Sequence, residues 1–232
     1  MPVLRSSVVL LAALLKASLA QAAALALVFA IDVSSSVSAD SYLLQRNGIL
    51  RAFQNPHLLT AIAALPGGIE VEVLEWSDPD RITVTVGWQR VVDATSAAAF
   101  AAALRATKRS IGGLTAIGPA LLAAGAAFDD LPEPADRRIV DISGDGMADF
   151  GLPPASARDR LVAAGISING LAILTTEPWL EDYYRANVIG GPGAFVVAAR
   201  NSQSIADAML KKLVQEVAGT PGRARRILGS GD

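Results

Sequence analysis

The chain predicts a doubly wound α/β fold, a mostly parallel sheet covered on both faces with one antiparallel strand at an edge. Three observations carry this expectation. Apolar runs of strand length alternate with helical patterns from residue 25 to residue 217. The first run, Leu25–Val33, is continuous rather than alternating, as a strand buried on both faces should be. Ile69–Trp76 and Ile82–Val91 alternate strongly and meet at Asp78-Pro79-Asp80, which reads as a hairpin and supplies the antiparallel edge.

The remaining elements follow in order. Ser38 reads as the N-cap of a helix that Pro56 stops, and a shorter helix is expected over His57–Leu65, closed by Pro66-Gly67-Gly68. Thr95–Thr107 is alanine-rich and helical. Ile117–Phe128 is helical too, with Pro119 tolerated because it falls in the first turn. Ile139–Ser143 is a short buried strand, Ser156–Ala164 a helix ended by Gly165, and Ile166–Leu174 another strand. Pro178–Asn187, Ala194–Ala198 and Ser202–Val217 complete the pattern as helix, strand and helix. Right-handed crossovers are required between successive parallel strands, and binding sites in such sheets lie beyond the carboxyl ends of the strands at the topological switch point.

Composition narrows the chemistry. The 232 residues carry 52% hydrophobic and 18% charged side chains, enough apolar content to offset the entropy of ordering one sizeable domain. A formal charge of −2 offers no electrostatic reason for nucleic-acid binding. With no cysteine, disulfides, thiolate-zinc sites, iron–sulfur clusters and thiol catalysis are excluded, and one histidine cannot build an imidazole cage.

Residues 1–24 read as a secretory signal: Arg5 near the start, an apolar run over Val8–Leu15, then small residues at Ser18, Ala20, Ala22 and Ala23. The run is too short to span a bilayer, which needs roughly 20 apolar residues. A domain over 25–217 and a flexible Gly-, Arg- and Ser-rich tail over 218–232 complete the division, and the destination is the periplasm or the exterior.

Three strand ends or helix approaches carry oxygen-rich side chains. Asp32-Val33-Ser34-Ser35-Ser36 follows the first strand, Gly112-Gly113-Leu114-Thr115-Ala116-Ile117-Gly118 leads into the 117–128 helix, and Ser143-Gly144-Asp145-Gly146 follows the 139–143 strand. Carboxylates and hydroxyls without nitrogen or sulfur suit a hard cation such as Mg²⁺, Mn²⁺ or Ca²⁺. Taken singly, each signal has a plain structural reading: an N-cap cluster, a turn threonine, an Asp-Gly turn.

In combination and in this order they resemble the metal-ion-dependent adhesion site (MIDAS) of von Willebrand factor type A (VWA) domains, over about residues 25–217. The resemblance implies a Rossmann-like sheet and a divalent cation, most simply Mg²⁺, bound directly by Ser34, Ser36 and Thr115. Asp32 and Asp145 would act directly or through water. It further implies an open coordination position for a Glu or Asp carboxylate of a partner protein, and no catalysis. Ser143 stands where the family usually has a threonine beside its acid, and Asp141 lies mid-strand, where alternation could equally aim it at a helix. With the leader and Trp76-Ser77, the chain looks like a group of bacterial exported VWA-like proteins.

Other readings are weaker. An alternative in the enzyme class is a metal-assisted hydrolase using the same cation. The run Asp141-x-Ser143-x-Asp145-Gly146 suggests a calcium loop, but Leu152 stands where the bidentate Glu belongs. No nucleophile elbow or P-loop is present. His57 reads as a surface histidine, Asp149 as a residue of the site rim, and Trp76, Trp88 and Trp179 as core or edge packing.

Overall fold

A computed structural model describes residues 22–110, 112–174, 177–200 and 202–219. Most of the leader expected over 1–24, and most of the tail expected over 218–232, lie outside the described residues. Within them the strands are β1 (Leu25–Asp32), β2 (Ile69–Trp76), β3 (Ile82–Val91), β4 (Arg138–Gly144), β5 (Ile166–Ile173) and β6 (Val196–Ala199). The helices are α1 (Ala39–Ala52), α2 (Pro56–Ala63), α3 (Ala94–Ala106), α4 (Ile117–Ala126), α5 (Pro154–Ala163), α6 (Leu180–Asn187) and α7 (Ser202–Ala218).

The sheet order is β3-β2-β1-β4-β5-β6, with β2 and β3 antiparallel and every other pair parallel. This is the doubly wound, mostly parallel architecture with one antiparallel edge that the hydrophobic pattern implies. The chain runs outward from β1 through β2 to β3, then returns to place β4 on the other side of β1. The switch point therefore lies between the carboxyl ends of β1 and β4, where Ile31 is in register with Ser143.

β1 is buried at every position, and its two faces serve two cores. Leu25, Leu27, Phe29 and Ile31 join α1, α2, α3 and α7, and the Phe29, Phe53 and Phe100 rings meet there at 4.6–6.4 Å. Ala26, Val28 and Ala30 form a flatter face for Ile117, Ala120, Leu121 and Ala124 of α4, with α5 and α6 alongside.

Element boundaries depart from expectation in small ways with local causes. Pro56 is the first residue of α2, capped by Asn55. The 117–128 helix tightens into a 3₁₀ turn over Ala127–Asp130. At the amino end the fold already includes Ala23, which is buried, donates to Pro134 O at 2.9 Å and accepts from Asp136 N at 3.0 Å. Among the described residues, no helix is long and apolar enough to cross a membrane.

Candidate functional site

The site grows from the turn that follows β1. Ser38 caps α1 by accepting from Ser41 N. Ser34 and Ser36 are therefore free of the capping duty that a serine cluster at this place would ordinarily serve. Asp32 instead accepts from Ser34 N at 2.8 Å, folding the turn back on itself. The Ser34 and Ser36 hydroxyls lie 3.1 Å apart, and Ser36 donates to Asp145 Oδ1 at 2.8 Å. This last bond spans 109 residues and joins the β1 and β4 ends across the switch point.

Thr115 borders the same space. A Cβ placed on Gly146 would lie 3.9 Å from both Ser36 Oγ and Thr115 Cγ2, so that glycine separates the threonine from the serine. Thr115 does not cap α4, whose N-cap Ala116 has no side-chain bond. Its backbone is held from both sides: Thr115 N donates to Asp149 Oδ1 at 2.8 Å and Thr115 O accepts from Asp149 N at 3.1 Å. Asp149, expected at the rim, thus locks two of the three loops together.

The glycine at position 112 is demanded by close approach to backbone, whereas that at 113 faces the movable end of the Asp78 side chain. A Cβ on Gly112 would meet Val33 O at 2.2 Å, and one on Gly113 would meet Asp78 Oδ2 at 1.8 Å. Gly112→Ala is therefore expected to lower stability by about 1–3 kcal/mol, the usual range for overpacking, as read by urea unfolding. A loss below about 0.5 kcal/mol, within the range of ordinary surface substitutions, would show that the loop simply moves aside.

The electrostatics are those of carboxylates taken out of water. Asp32 is wholly buried and its Oδ2 has no hydrogen-bond partner. Burial pushes its carboxyl up to about 7 against the bonds from Ser34, and the neighbouring charge of Asp145 adds to the rise. Asp145 is also raised by burial, with the Ser36 bond and the charge of Arg109 opposing. Across Gly144, where a Cβ would meet Tyr184 Oη at 2.5 Å and Asp32 Oδ2 at 2.8 Å, stands a second buried, unpartnered polar atom, the Tyr184 hydroxyl. Burial raises that phenol, and the charges of Asp32 and Asp145 raise it further.

Two residues that shape the site carry no sequence signal for it. Arg109 Nη2 donates to the carbonyls of Val33 (3.2 Å), Ser34 (3.4 Å) and Val37 (2.8 Å), while its guanidinium lies 5.2 Å from the centre of the Tyr42 ring. Tyr184 sits one helical turn after Leu180, a spacing that announces burial but not a neighbour on another strand. Two side chains close to the motif do other work. Ser143, considered beside the acid, donates to Gln45 Oε1 at 2.6 Å. Asp141 pairs with Lys212 of α7, the helix side of the two orientations its place in the strand allows. His57 is exposed. Trp76 is buried and Trp88 packs on Phe128, but Trp179 stands 43% exposed.

Asp32, Ser34, Ser36 and Asp145 thus form one hydrogen-bonded set bordered by Thr115, all oxygen in chemistry. Among the described residues, no group of three or more His, Cys, Asp or Glu side chains is arranged to hold a metal. The set has two carboxylates and draws its other oxygens from hydroxyls, a donor composition suited to hard cations.

Comparison with solved structures gives a VWA-like fold. The chain is similar to proximal thread matrix protein 1 of the mussel byssus with a zinc-occupied MIDAS motif, at 19% identity and TM-score 0.57, covering 83% of this chain and 46% of that one. It is similar to the pilus adhesin SpaC from Lactobacillus rhamnosus GG at 12% identity and TM-score 0.61, covering 83% of this chain and 30% of that one. It also matches the SpRpn10 VWA domain at 13% identity and TM-score 0.58, over 82% and 96% of the two chains. At such identities the likeness speaks for the fold alone, and the chain spans less than half of the byssus protein and of the adhesin. Residues 22–221 match the family described as "Protein of unknown function (DUF1194)", and the chain belongs to that family. No curated protein matches it.

Proposed function

We propose that this chain is an exported interaction module that binds a divalent cation through Asp32, Ser34, Ser36, Thr115 and Asp145 and uses it to hold a carboxylate of a partner protein. The observation that carries this reading is the unpartnered Oδ2 of a fully buried Asp32 beside a second raised carboxylate. Two desolvated acids facing one small space destabilise each other until a cation or a proton intervenes. The five side chains fit a hard ion, Mg²⁺ most simply, with Mn²⁺ or Ca²⁺ as other candidates. Bound there, the ion supplies concentrated positive charge with part of its coordination shell left to a ligand. The chain's own residues do the rest. Arg109 holds the Asp32–Ser36 turn, Asp149 holds Thr115, and Ser36 ties the two acidic loops together. Export by the leader expected over residues 1–24 agrees with the byssus and pilus origins of two similar structures.

Thermal unfolding with and without chelator tests the reading. Mg²⁺ or Mn²⁺ at about 100 times its Kd is expected to stabilise the purified protein by about 2.7 kcal/mol, a rise of roughly 5–10 °C in midpoint. The double variant Asp32→Ala, Ser34→Ala should lose that rise. In chelator its midpoint is its own baseline, expected below the wild type's because Asp32→Ala also leaves the buried Ser34 N–H without its acceptor, a cost of about 1–3 kcal/mol. An equal cation-dependent rise in both proteins would end the proposal.

A further inference from the structure

We propose that the partner segment carries its acidic residue between apolar side chains, and that Leu114, Met147, Phe150 and Trp179 form the surface that receives those flanks. The inference rests on the reading above for the carboxylate and adds to it what surrounds the carboxylate.

Among the described residues, seven large hydrophobics are exposed; Leu114 (43%), Met147 (47%) and Phe150 (53%) stand on the loops that build the site, and Trp179 (43%) stands just ahead of α6. The other three, Leu43, Val84 and Val92, lie on α1, on β3 and just after β3. Exposed apolar residues scattered singly are ordinary, whereas a group gathered round a polar centre marks a contact surface.

The four are linked through the Thr115–Asp149 bonds already described, one further hydrogen bond and one ring contact. Leu114 precedes Thr115, and the paired backbones of Thr115 and Asp149 bring Phe150 to the same loop junction. Met147 follows Gly146, and the next residue, Ala148, donates its N–H to Tyr183 Oη at 3.1 Å. Tyr183 in turn meets the Trp179 ring edge-on at 6.4 Å. Leu114 N is itself pinned to Asp78 Oδ1 at 2.9 Å. The rim is therefore a set of apolar side chains on tied-down backbone, cheap to order when a partner arrives.

Its composition also indicates the kind of partner. Met, Phe and Trp are the side chains enriched at the centres of protein interfaces, where they exclude water from a polar contact. In the middle, a divalent ion would be matched by at most the two charges of Asp32 and Asp145. Arg109 is the basic group whose charge reaches Asp145, and the Asp149 carboxylate is spent on Thr115 N. Positive centre and apolar rim together select an anion with greasy neighbours. A second copy of this chain and an anionic membrane surface are the rival occupants.

The test uses a displayed peptide library with a fixed central Glu and random residues at two positions on either side, panned on the purified protein in Mg²⁺. Enriched peptides should carry Leu, Ile, Phe or Trp next to the Glu. One synthesised winner should lose at least tenfold in affinity on its own Glu→Gln change, and at least tenfold towards the variant Met147→Ser, Phe150→Ser, Trp179→Ser. That variant should keep wild-type Mg²⁺ affinity by calorimetry, which shows that the site and fold are intact. Enrichment of polar flanks, or unchanged affinity of the variant, would overturn the rim while leaving the cation site standing. Absence of Mg²⁺ binding by the wild type would remove both. Metal-dependent dimers in sedimentation at micromolar concentration, or cation-independent binding to phosphatidylglycerol vesicles, would assign the surface to a rival occupant.

Discussion

Lys212→Met is expected to destabilise the protein by about 3–5 kcal/mol, the usual cost of breaking a buried ion pair from one side. Lys212 is fully buried in α7, with its Nζ 2.6 Å from both Asp141 Oδ1 of β4 and Glu216 Oε1 one turn further along the helix. Asn169 of β5 donates to the same Glu216 oxygen at 2.8 Å and accepts from Phe195 N at 3.1 Å, and the Phe195 ring centre lies 5.6 Å from the lysine. Remove the ammonium and two acids remain in a place that solvates neither. Arg137 cannot replace it, since its guanidinium donates to the Glu216 and Val217 carbonyls at the end of α7.

The cluster fastens α7 to the sheet, so the loss should appear in global urea unfolding. A triple variant adding Asp141→Asn and Glu216→Gln should recover most of it, because neutral partners no longer demand a cation. A cost below about 1 kcal/mol for Lys212→Met, or no recovery in the triple variant, would show that apolar packing of Ile205, Met209 and Leu213 alone holds the helix.

That cluster marks where reading along the chain stops. Strands and helices were legible because each is written locally: the unbroken run of β1, the alternation of β2 and β3, Ser38 before α1. The switch-point residues were legible too, since Asp32, Thr115 and Asp145 sit at strand ends or a helix approach, where the fold class directs attention. A side chain in the middle of an element has no such marker. Asp141 in β4 and Lys212 in α7 are 71 positions apart, and only the docking of α7 pairs them. Arg109 and Tyr184 fall in the same class: one follows α3 and grips a loop near residue 35, the other approaches Asp32 across a missing side chain at Gly144. Trp179 departed from the expected packing because aromatic character suggests burial, whereas this residue, just ahead of α6, stands 43% exposed with only an edge contact to the Tyr183 ring among its ring neighbours.

The cation-free protein should lose stability as pH rises from about 4.5 to above 7, with a fall in thermal midpoint of roughly 5 °C or more. Glu216 is pushed up to about 7 by burial, then by the charge of Asp141, with Lys212 and Asn169 opposing, and Asp141 is itself raised by burial. Glu72 on β2 is likewise pushed up to about 7 by burial and the nearby charge of Asp130, against a bond from the Trp88 backbone. An unfolded glutamate ionises near 4.5. Between that value and 7 the folded chain keeps protons that the unfolded chain has released, so unfolding gains with every rise in pH. The contribution is whole below about 4.5 and gone once pH passes the folded value. This slope is opposite to that of a protein held by exposed ion pairs, whose carboxylates are stabilised when charged. Glu216→Gln and Glu72→Gln should each flatten the curve on its alkaline side, since an amide cannot be forced to ionise in a buried place. A midpoint that climbs steadily from pH 5 to pH 8 in chelator would mean that these acids reach water, and that the surroundings of Glu216 under α7 and of Glu72 on β2 are wetter than their packing implies.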